Sequence, residues 1–147
     1  MSALFQPLNI GALTLANRII VAPMCQYSAE DGSARDWHII HLGHLALSGA
    51  GLLILEATAV SAVGRISDRD LGLYSDANEA ALARVLAAVR AHSSIPIAIQ
   101  LAHAGRKASS LPPFEGGAQV APGRSRGWKT EAPSAVPHAE GEEAPAA

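Results

Sequence analysis

The hydrophobic residues of this chain fall into short continuous runs separated by polar and glycine-containing segments. Residues 5–15 alternate apolar and polar positions around Gly11, which predicts a short hairpin that we expect to act as a lid or plug. Nearly continuous apolar runs follow at residues 18–24, 50–60 and 95–105. Such runs are typical of strands that are buried on both faces of a parallel sheet.

Two segments between these runs carry helical patterns. Asp36 is a favourable N-cap for a helix that continues to Ser48, and Asp76 is a favourable N-cap for a helix over residues 77–91. The resulting order of strand, helix, strand, helix and strand predicts right-handed crossovers and a parallel sheet. The fold class is therefore predicted to be α/β.

The composition fits one domain with a buried core. Of the 147 residues, 49% are hydrophobic and 16% are charged. The 11 basic and 13 acidic residues give a net charge of −2 and form no long block of either sign, so we expect neither nucleic acid nor a membrane surface as a partner. A lone cysteine, Cys25, cannot form an intramolecular disulfide, and the sequence has no leader or membrane-spanning pattern, so it predicts a cytoplasmic protein.

The pattern changes after Arg106. Residues 107–127 are rich in Ser, Pro, Gly and Arg and show no periodicity. We expect residues 1–137 to form one unit and the Ala-, Glu- and Pro-rich residues 138–147 to be a disordered tail.

Candidate chemistry lies just beyond each apolar run, because parallel α/β sheets bind ligands beyond the carboxyl ends of their strands. The residues there are Pro23, Met24, Cys25, Gln26 and Tyr27; Glu56, Ala57 and Thr58; and Gln100, His103, Arg106 and Lys107. A thiol, a phenol, an amide and small residues suit a flat aromatic heterocycle. No glycine-rich phosphate loop accompanies them.

Three motifs in this order carry a resemblance to a known family. PMCQY (23–27), EATAV with GRI (56–60 and 64–66) and QLAHAGRKA (100–108) resemble the old yellow enzyme family of FMN-dependent ene-reductases, near its thermophilic-like class. The resemblance implies the N-terminal portion of a TIM (β/α)8 barrel, with an N-terminal hairpin, about three strands and two helices. The chain is too short for a complete barrel, which takes about 250 residues.

The resemblance also implies roles for individual residues. Its cofactor-binding positions correspond to Ala22, Pro23, Met24, Cys25, Ala57 and Gln100. Cys25 would lie near the reactive flavin edge and tune its reduction potential, with the backbone of Ala57 close by. Gln100 would hydrogen-bond the pyrimidine part of the ring, and Tyr27 would lie over the flavin face and bind substrate.

The implied function is an FMN-dependent NAD(P)H oxidoreductase that reduces activated C=C bonds of enones or related electrophiles, with hydride passing from NAD(P)H to FMN N5 and on to the substrate. The implied partners are FMN, a small electrophilic alkene, and either a chain that supplies the rest of the barrel or a second copy of this chain. No catalytic residue is assigned, because the family's substrate-gripping pair lies in the part of the barrel that this chain lacks. We expect the isolated chain to be inactive; the alternative is a truncated, non-catalytic fragment that interacts through its exposed sheet.

The residues themselves also allow structural interpretations. Cys25 can be interpreted as an inert buried thiol, and Tyr27 as a residue that caps the core. Gln100 can be interpreted as a side chain that forms hydrogen bonds with backbone groups at a strand end. Glu56 and His103 fit either an acid/base pair or, as we expect, a satisfied carboxylate and a packed histidine.

Three further features fit structural roles as well. His38, His41 and His44 recur every third residue but lack a carboxylate or thiol to complete a metal site, so no metal is predicted. Arg106 and Lys107 fit solvated basic residues, although a positive charge near the flavin would favour its reduced anion. Trp37 and Trp128 are interpreted as packing residues.

Overall fold

The computed structural model describes residues 2–147. Near its start, β1 (Leu8–Ile10) and β2 (Leu13–Leu15) pair antiparallel. Gly11 sits in the turn at φ 56°, a conformation that glycine adopts without steric cost. The predicted hairpin is confirmed, and its role as a lid or plug stays a prediction.

The predicted α/β core is also confirmed. β3 (Ile20–Val21), β4 (Leu52–Ala59) and β5 (Ile97–Ala102) form a parallel sheet in the order β3-β4-β5. The crossovers contain α1 (Asp36–Ala46) and α2 (Asp76–Arg90). Each strand therefore ends at the same edge of the sheet.

β3 is much shorter than the predicted strand over residues 18–24. It pairs with β4 on one side only, and Pro23 has no N–H to donate to a ladder, so regular pairing ends at Val21. The prediction of a strand that enters a parallel sheet here is correct, but its length and its burial on both faces are wrong, since residues 18–24 alternate between exposed and half-buried.

Both helices begin differently from the prediction. The N-cap of α1 is Arg35, in extended conformation, and Asp36 is already helical, with its carboxylate 2.9 Å from Arg84 of α2. The N-cap of α2 is Ser75, whose Oγ accepts a hydrogen bond from the Asn78 N–H at 3.2 Å. In each case the predicted Asp cap lies one residue inside the helix.

The helices cover one face of the sheet. The buried core between them includes Leu42, Leu53, Leu55, Val85 and Val89. Among residues 2–147 nothing comparable covers the opposite face, where Ile20 of β3 is 41% exposed.

The three strands do not close into a barrel within the described residues. β3 and β5 each have an unpaired edge. Leu101 of β5 is 59% exposed on the helix side of the sheet, since no α-helix follows this strand in residues 2–147. The prediction of an incomplete barrel is confirmed.

The remainder of the chain is irregular and is joined to the loop after β4 by contacts such as the hydrogen bond from Trp128 Nε1 to Val63 O at 2.9 Å. Short 3-10 helices span Gly105–Lys107 and Pro113–Glu115. Near the C-terminus, the Ala146 N–H donates to Thr130 O at 2.8 Å and Ala146 O accepts from the Ala132 N–H at 2.9 Å. The boundary at residue 137 and the disorder of residues 138–147 stay predictions. No helix within residues 2–147 has the length and apolar character required to cross a membrane.

Candidate functional site

A β-bulge in β4 determines which side chains face the open side of the sheet. Leu55 is opposite Ile99 and Ala57 is opposite Gln100, so Glu56 is the extra residue. Leu55 lies in the core beneath α1, and Glu56 approaches His38 of the same helix. The bulge thereby places the side chains of Ala57 and its neighbour Gln100 on the opposite, open face.

A small cavity of about 110 Å³ lies at the carboxyl ends of β4 and β5. Small residues form much of its wall, namely Ala57, Ala59, Gly64, Ala102 and Ala104. Asp70, His103 and Lys107 add polar groups. The walls therefore allow a flat ligand to approach the backbone closely.

Gln26 anchors the segment that follows β3. Its backbone N–H donates to Glu56 Oε2 at 2.9 Å, and its carbonyl accepts from Ser28 Oγ at 2.9 Å. Its side-chain amide donates to Met24 O at 2.9 Å and accepts from Trp37 Nε1 at 3.2 Å. All four polar groups of Gln26 are thus engaged, which fixes the residues on either side.

Cys25 is half-buried and reduced. Burial raises the pKa of its thiol to about 11, and the negative charges of Asp70 and Glu56 act in the same direction. The backbone of Ala57 and the charge of Lys107 oppose the increase in pKa without cancelling it. At neutral pH Cys25 is consequently a neutral thiol lying against the backbone of β4.

Tyr27 has a left-handed backbone, with φ at 51°. This conformation is uncommon for a residue other than glycine and is often found at functional positions. Its ring meets Phe114 edge to face, with centroids 6.0 Å apart. Burial raises the pKa of the Tyr27 hydroxyl, with smaller contributions from Cys25 and Asp70, so it stays protonated at neutral pH.

Gln100 shares the open face of the sheet with Ala57, its partner across the ladder. Gln100, Ala22 and Met24 are exposed, and Met24 has 57% of its surface exposed. The structure therefore brings Cys25 and Ala57 into contact and places Gln100 beside Ala57. The assignment of these residues to a cofactor stays a prediction.

The interpretation of Glu56 as a satisfied carboxylate is confirmed. It is 6% exposed and accepts the Gln26 N–H. Its nearest basic group is Nε2 of His38, 3.5 Å from Oε1. The expectation of a packed histidine is wrong, because His103 is exposed. Its Nδ1 accepts the Gly105 N–H at 3.1 Å, so Glu56 and His103 have separate hydrogen-bond partners.

The three regularly spaced histidines have separate environments. His38 is 1% exposed beneath the sheet, whereas His41 stacks on Trp37 with ring centroids 6.2 Å apart. Burial lowers the pKa of His41, and the nearby Glu56 partly opposes this change. Within residues 2–147, no group of three His, Cys, Asp or Glu side chains is arranged to hold a metal ion.

Asp70 is a site residue that the sequence analysis missed. It is 2% exposed, and its carboxylate accepts the Ser67 N–H at 2.8 Å and Ser67 Oγ at 3.1 Å. Burial raises its pKa. The available signal was the serine three residues earlier, a spacing that favours such local side-chain hydrogen bonds.

The residues at this edge fit a flavin. The donor set includes an amide with both a donor and an acceptor at Gln100, a neutral thiol at Cys25 and a basic group at Lys107. Small side chains line the cavity at Lys107, and one of them, Ala57, contacts Cys25 and pairs with Gln100. An isoalloxazine ring presents matching polar atoms along one edge and a flat surface elsewhere.

Comparisons with known proteins also indicate a flavin-dependent family. The sequence profile described as the NADH:flavin oxidoreductase / NADH oxidase family matches residues 3–138. A NADH:flavin oxidoreductase of Gibberella zeae is 45% identical over 134 residues, which cover 90% of this chain and 32% of that protein. An NADPH dehydrogenase of Geobacillus sp. is 51% identical over 106 residues, covering 71% of this chain and 31% of its own.

Solved structures of old yellow enzyme relatives superpose on this chain. Morphinone reductase superposes with a TM-score of 0.74 at 36% identity and covers 92% of this chain and 32% of its own. The old yellow enzyme from Trypanosoma cruzi superposes with a TM-score of 0.72 at 30% identity, covering 92% of this chain and 35% of its own.

The chain belongs to the NADH:flavin oxidoreductase / NADH oxidase family, and its structural neighbours include old yellow enzymes. The predicted family is confirmed. The chain spans about a third of the length of these relatives. The names of the family and its NADPH dehydrogenases agree with the predicted cofactors, FMN and NAD(P)H.

Proposed function

We propose that this chain supplies the first strands and part of the flavin site of an FMN-dependent NAD(P)H oxidoreductase that reduces activated C=C bonds. The observation that carries the proposal is the meeting of Cys25, Ala57 and Gln100 at the carboxyl ends of three adjacent parallel strands. Ligand sites in α/β barrels are built at this end of the strands.

Each residue has a distinct part in the proposed site. Gln100 binds the polar edge of the flavin through its amide. Cys25 presents a neutral thiol, which stabilises extra negative charge on a neighbouring ring less than a cation would. Tyr27 offers a protonated hydroxyl next to the site for a substrate. When bound, FMN supplies hydride transfer from NAD(P)H to an electron-poor alkene.

The proposed substrates are enones and related electrophiles. We expect them to bind between Tyr27 and the rest of the barrel, which also supplies the groups that hold the substrate's carbonyl oxygen. We propose no catalytic residue in residues 1–147, and we propose the cytoplasm as the location.

A chimera tests this function. Residues 1–110 replace the matching N-terminal third of the Geobacillus NADPH dehydrogenase, to which this region is about half identical. We expect a yellow protein whose flavin absorbance bleaches with NADPH in the absence of oxygen and recovers on addition of 2-cyclohexenone. A folded, colourless chimera that FMN cannot reconstitute would overturn the proposal.

A second candidate function is that of a non-catalytic interaction module. It is favoured by the open sheet, which leaves Ile20 at 41% and Met24 at 57% exposure and has two unpaired edges. Exposed apolar faces and strand edges favour association. Light scattering of the purified 147-residue chain tests this: a monomer at high concentration contradicts it, and a defined oligomer without flavin supports it.

A further inference from the structure

A buried histidine and a buried carboxylate lie directly beneath the proposed flavin edge. His38 is 1% exposed and Glu56 is 6% exposed. His38 Nε2 lies 3.5 Å from Glu56 Oε1. Such groups are costly to bury unless they are paired, so this arrangement calls for an explanation beyond packing.

The hydrogen bonds of His38 define which ring nitrogen faces Glu56. The Arg35 N–H donates to His38 Nδ1 at 2.9 Å, which is shorter than the 3.3 Å between Nδ1 and the Arg35 carbonyl oxygen. The shorter contact assigns Nδ1 as an acceptor and so favours the tautomer with its proton on Nε2. Nε2 has no hydrogen bond within standard geometry and is one of two such buried side-chain atoms in residues 2–147. Its proton therefore points to the carboxylate as its natural partner.

The opposite oxygen of Glu56 is bonded to the segment that carries Cys25. Oε2 accepts the Gln26 N–H at 2.9 Å. Because Glu56 is the extra residue of the bulge in β4, its side chain reaches both α1 and this segment. One carboxylate thus joins the helix, the central strand and the loop after β3.

We propose that His38 and Glu56 form a buried positioning pair that holds Met24–Gln26, and with it the Cys25 thiol, in place at the flavin edge. Glu56 bonds the loop directly, and His38 acts through Glu56. The part of this inference that concerns flavin rests on the proposed function. The part that concerns Cys25 is a property of the chain without flavin.

Two substitutions of His38 separate this role from helix capping. His38→Asn keeps an acceptor for the Arg35 N–H and loses the group that reaches Glu56. His38→Gln keeps a donor that reaches Glu56 and loses the capping geometry. A purely structural capping role predicts that the Asn variant behaves like wild type, whereas the positioning role predicts that the Gln variant does.

The first readout is alkylation of Cys25 by iodoacetamide in the full 147-residue chain, followed by mass spectrometry from pH 8 to 12.5, a range that extends beyond the raised pKa of the thiol. Circular dichroism restricts the data to folded protein. The limiting rate of alkylation at high pH reports how accessible the thiol is. The midpoint of the pH dependence reports the charges around the thiol. These charges are those of Asp70, Glu56 and Lys107, and His38 and Tyr27 are the other titratable groups nearby.

We expect His38→Asn to raise the limiting rate by about threefold or more, because the loop is released, and His38→Gln to stay within about twofold of wild type. Asp70→Asn is the matched control: it removes a neighbouring carboxylate that does not touch Gln26, so it lowers the midpoint and leaves the limiting rate unchanged. Glu56→Gln has only one oxygen to offer the Gln26 N–H and the His38 Nε2–H, so it should lower the midpoint by removing a charge and also raise the limiting rate by breaking one of the two contacts. The reverse order for the two His38 variants, or wild-type rates in both, overturns the proposal.

The second readout is the flavin reduction potential of the chimera. His38→Asn should shift the potential and His38→Gln should restore it, while an unchanged potential in both would contradict the effect on flavin. A chimera that binds no FMN would count against the proposed function. The alkylation result would still decide whether the pair positions Cys25.

Discussion

Arg126 holds Asp68 through two parallel hydrogen bonds, from Nε to Oδ2 at 2.8 Å and from Nη2 to Oδ1 at 2.8 Å. Nη1 of the same guanidinium donates to Glu115 Oε2 at 2.6 Å. These contacts tie the irregular residues 107–127 to the loop between β4 and α2. A planar guanidinium with several donors is suited to such a fork, and a lysine is not.

Arg126→Lys should therefore destabilise the chain although it keeps the charge. The side chains of Arg126 and Asp68 are each 30% exposed, so solvent screening limits the expected loss to about 1 kcal/mol in the free energy of unfolding. Urea unfolding measures it. Arg124→Lys, at an exposed position nearby, is the control, and an equal effect of both substitutions would contradict a specific role for Arg126.

The same contact predicts a pH dependence. Burial raises the pKa of Asp68, but the hydrogen bonds and charge of Arg126 outweigh burial and lower it below its ordinary value. A carboxyl with a lowered folded pKa adds stability that is present above its unfolded pKa and is lost as pH falls through the folded pKa. Wild type should lose its stability advantage over Arg126→Gln below about pH 4. A difference in unfolding free energy that stays constant from pH 7 to 2.5 would exclude this linkage.

Two glycines should respond to alanine in opposite ways. A Cβ on Gly51 would collide with the backbone carbonyl of Asn17, whereas a Cβ on Gly43, inside α1, would meet nothing within 4 Å. Gly51→Ala should cost roughly 1–3 kcal/mol of unfolding free energy because backbone must move. Gly43→Ala should add about 0.5–1 kcal/mol. Thermal and urea unfolding of the two variants check both signs, and a neutral Gly51→Ala would show that the two backbones separate easily.

Gln100→Leu should weaken FMN binding in the chimera by about tenfold or more, because the substitution removes the amide that forms hydrogen bonds with the flavin ring. Fluorescence titration of the apoprotein with FMN measures the dissociation constant. Gln6→Leu replaces another exposed glutamine, far from Gln100 in the sequence, and should leave the dissociation constant unchanged. Equal affinity of the Gln100 variant and wild type would remove Gln100 from the proposed site.

The sequence was sufficient to predict the elements that long-range patterning controls. Continuous apolar runs predicted β4 and β5 within two or three residues at each end, and apolar spacing predicted α2. These signals are strong because burial of a whole face requires them. The motifs at the strand ends correctly placed Cys25 beside Ala57.

The features that were missed depend on single contacts, some of them between residues far apart in the sequence. The choice of Ser75 over Asp76 as the N-cap is decided by one residue's backbone angle, which composition does not reveal. The pairing of Glu56 in β4 with His38 in α1 depends on the bulge. The apolar and polar pattern of residues 55–59 does not reveal that one of them is an extra residue. The Arg126 network joins positions 58 residues apart, which no local pattern connects.

The bulge at Glu56 also constrains how this gene can change. Because side chains alternate along a strand, straightening the bulge with Glu56 retained would turn Ala57 and Ala59 toward the helices and Thr58 toward the cavity. Deletion of Glu56 itself would leave Leu55 opposite Ile99 and Ala57 opposite Gln100, so both faces would be kept and the carboxylate between α1 and the loop after β3 would be lost. Any other single-residue insertion or deletion within Leu52–Ala59 would need a compensating gain or loss of a bulge to keep Ala57 on the open face.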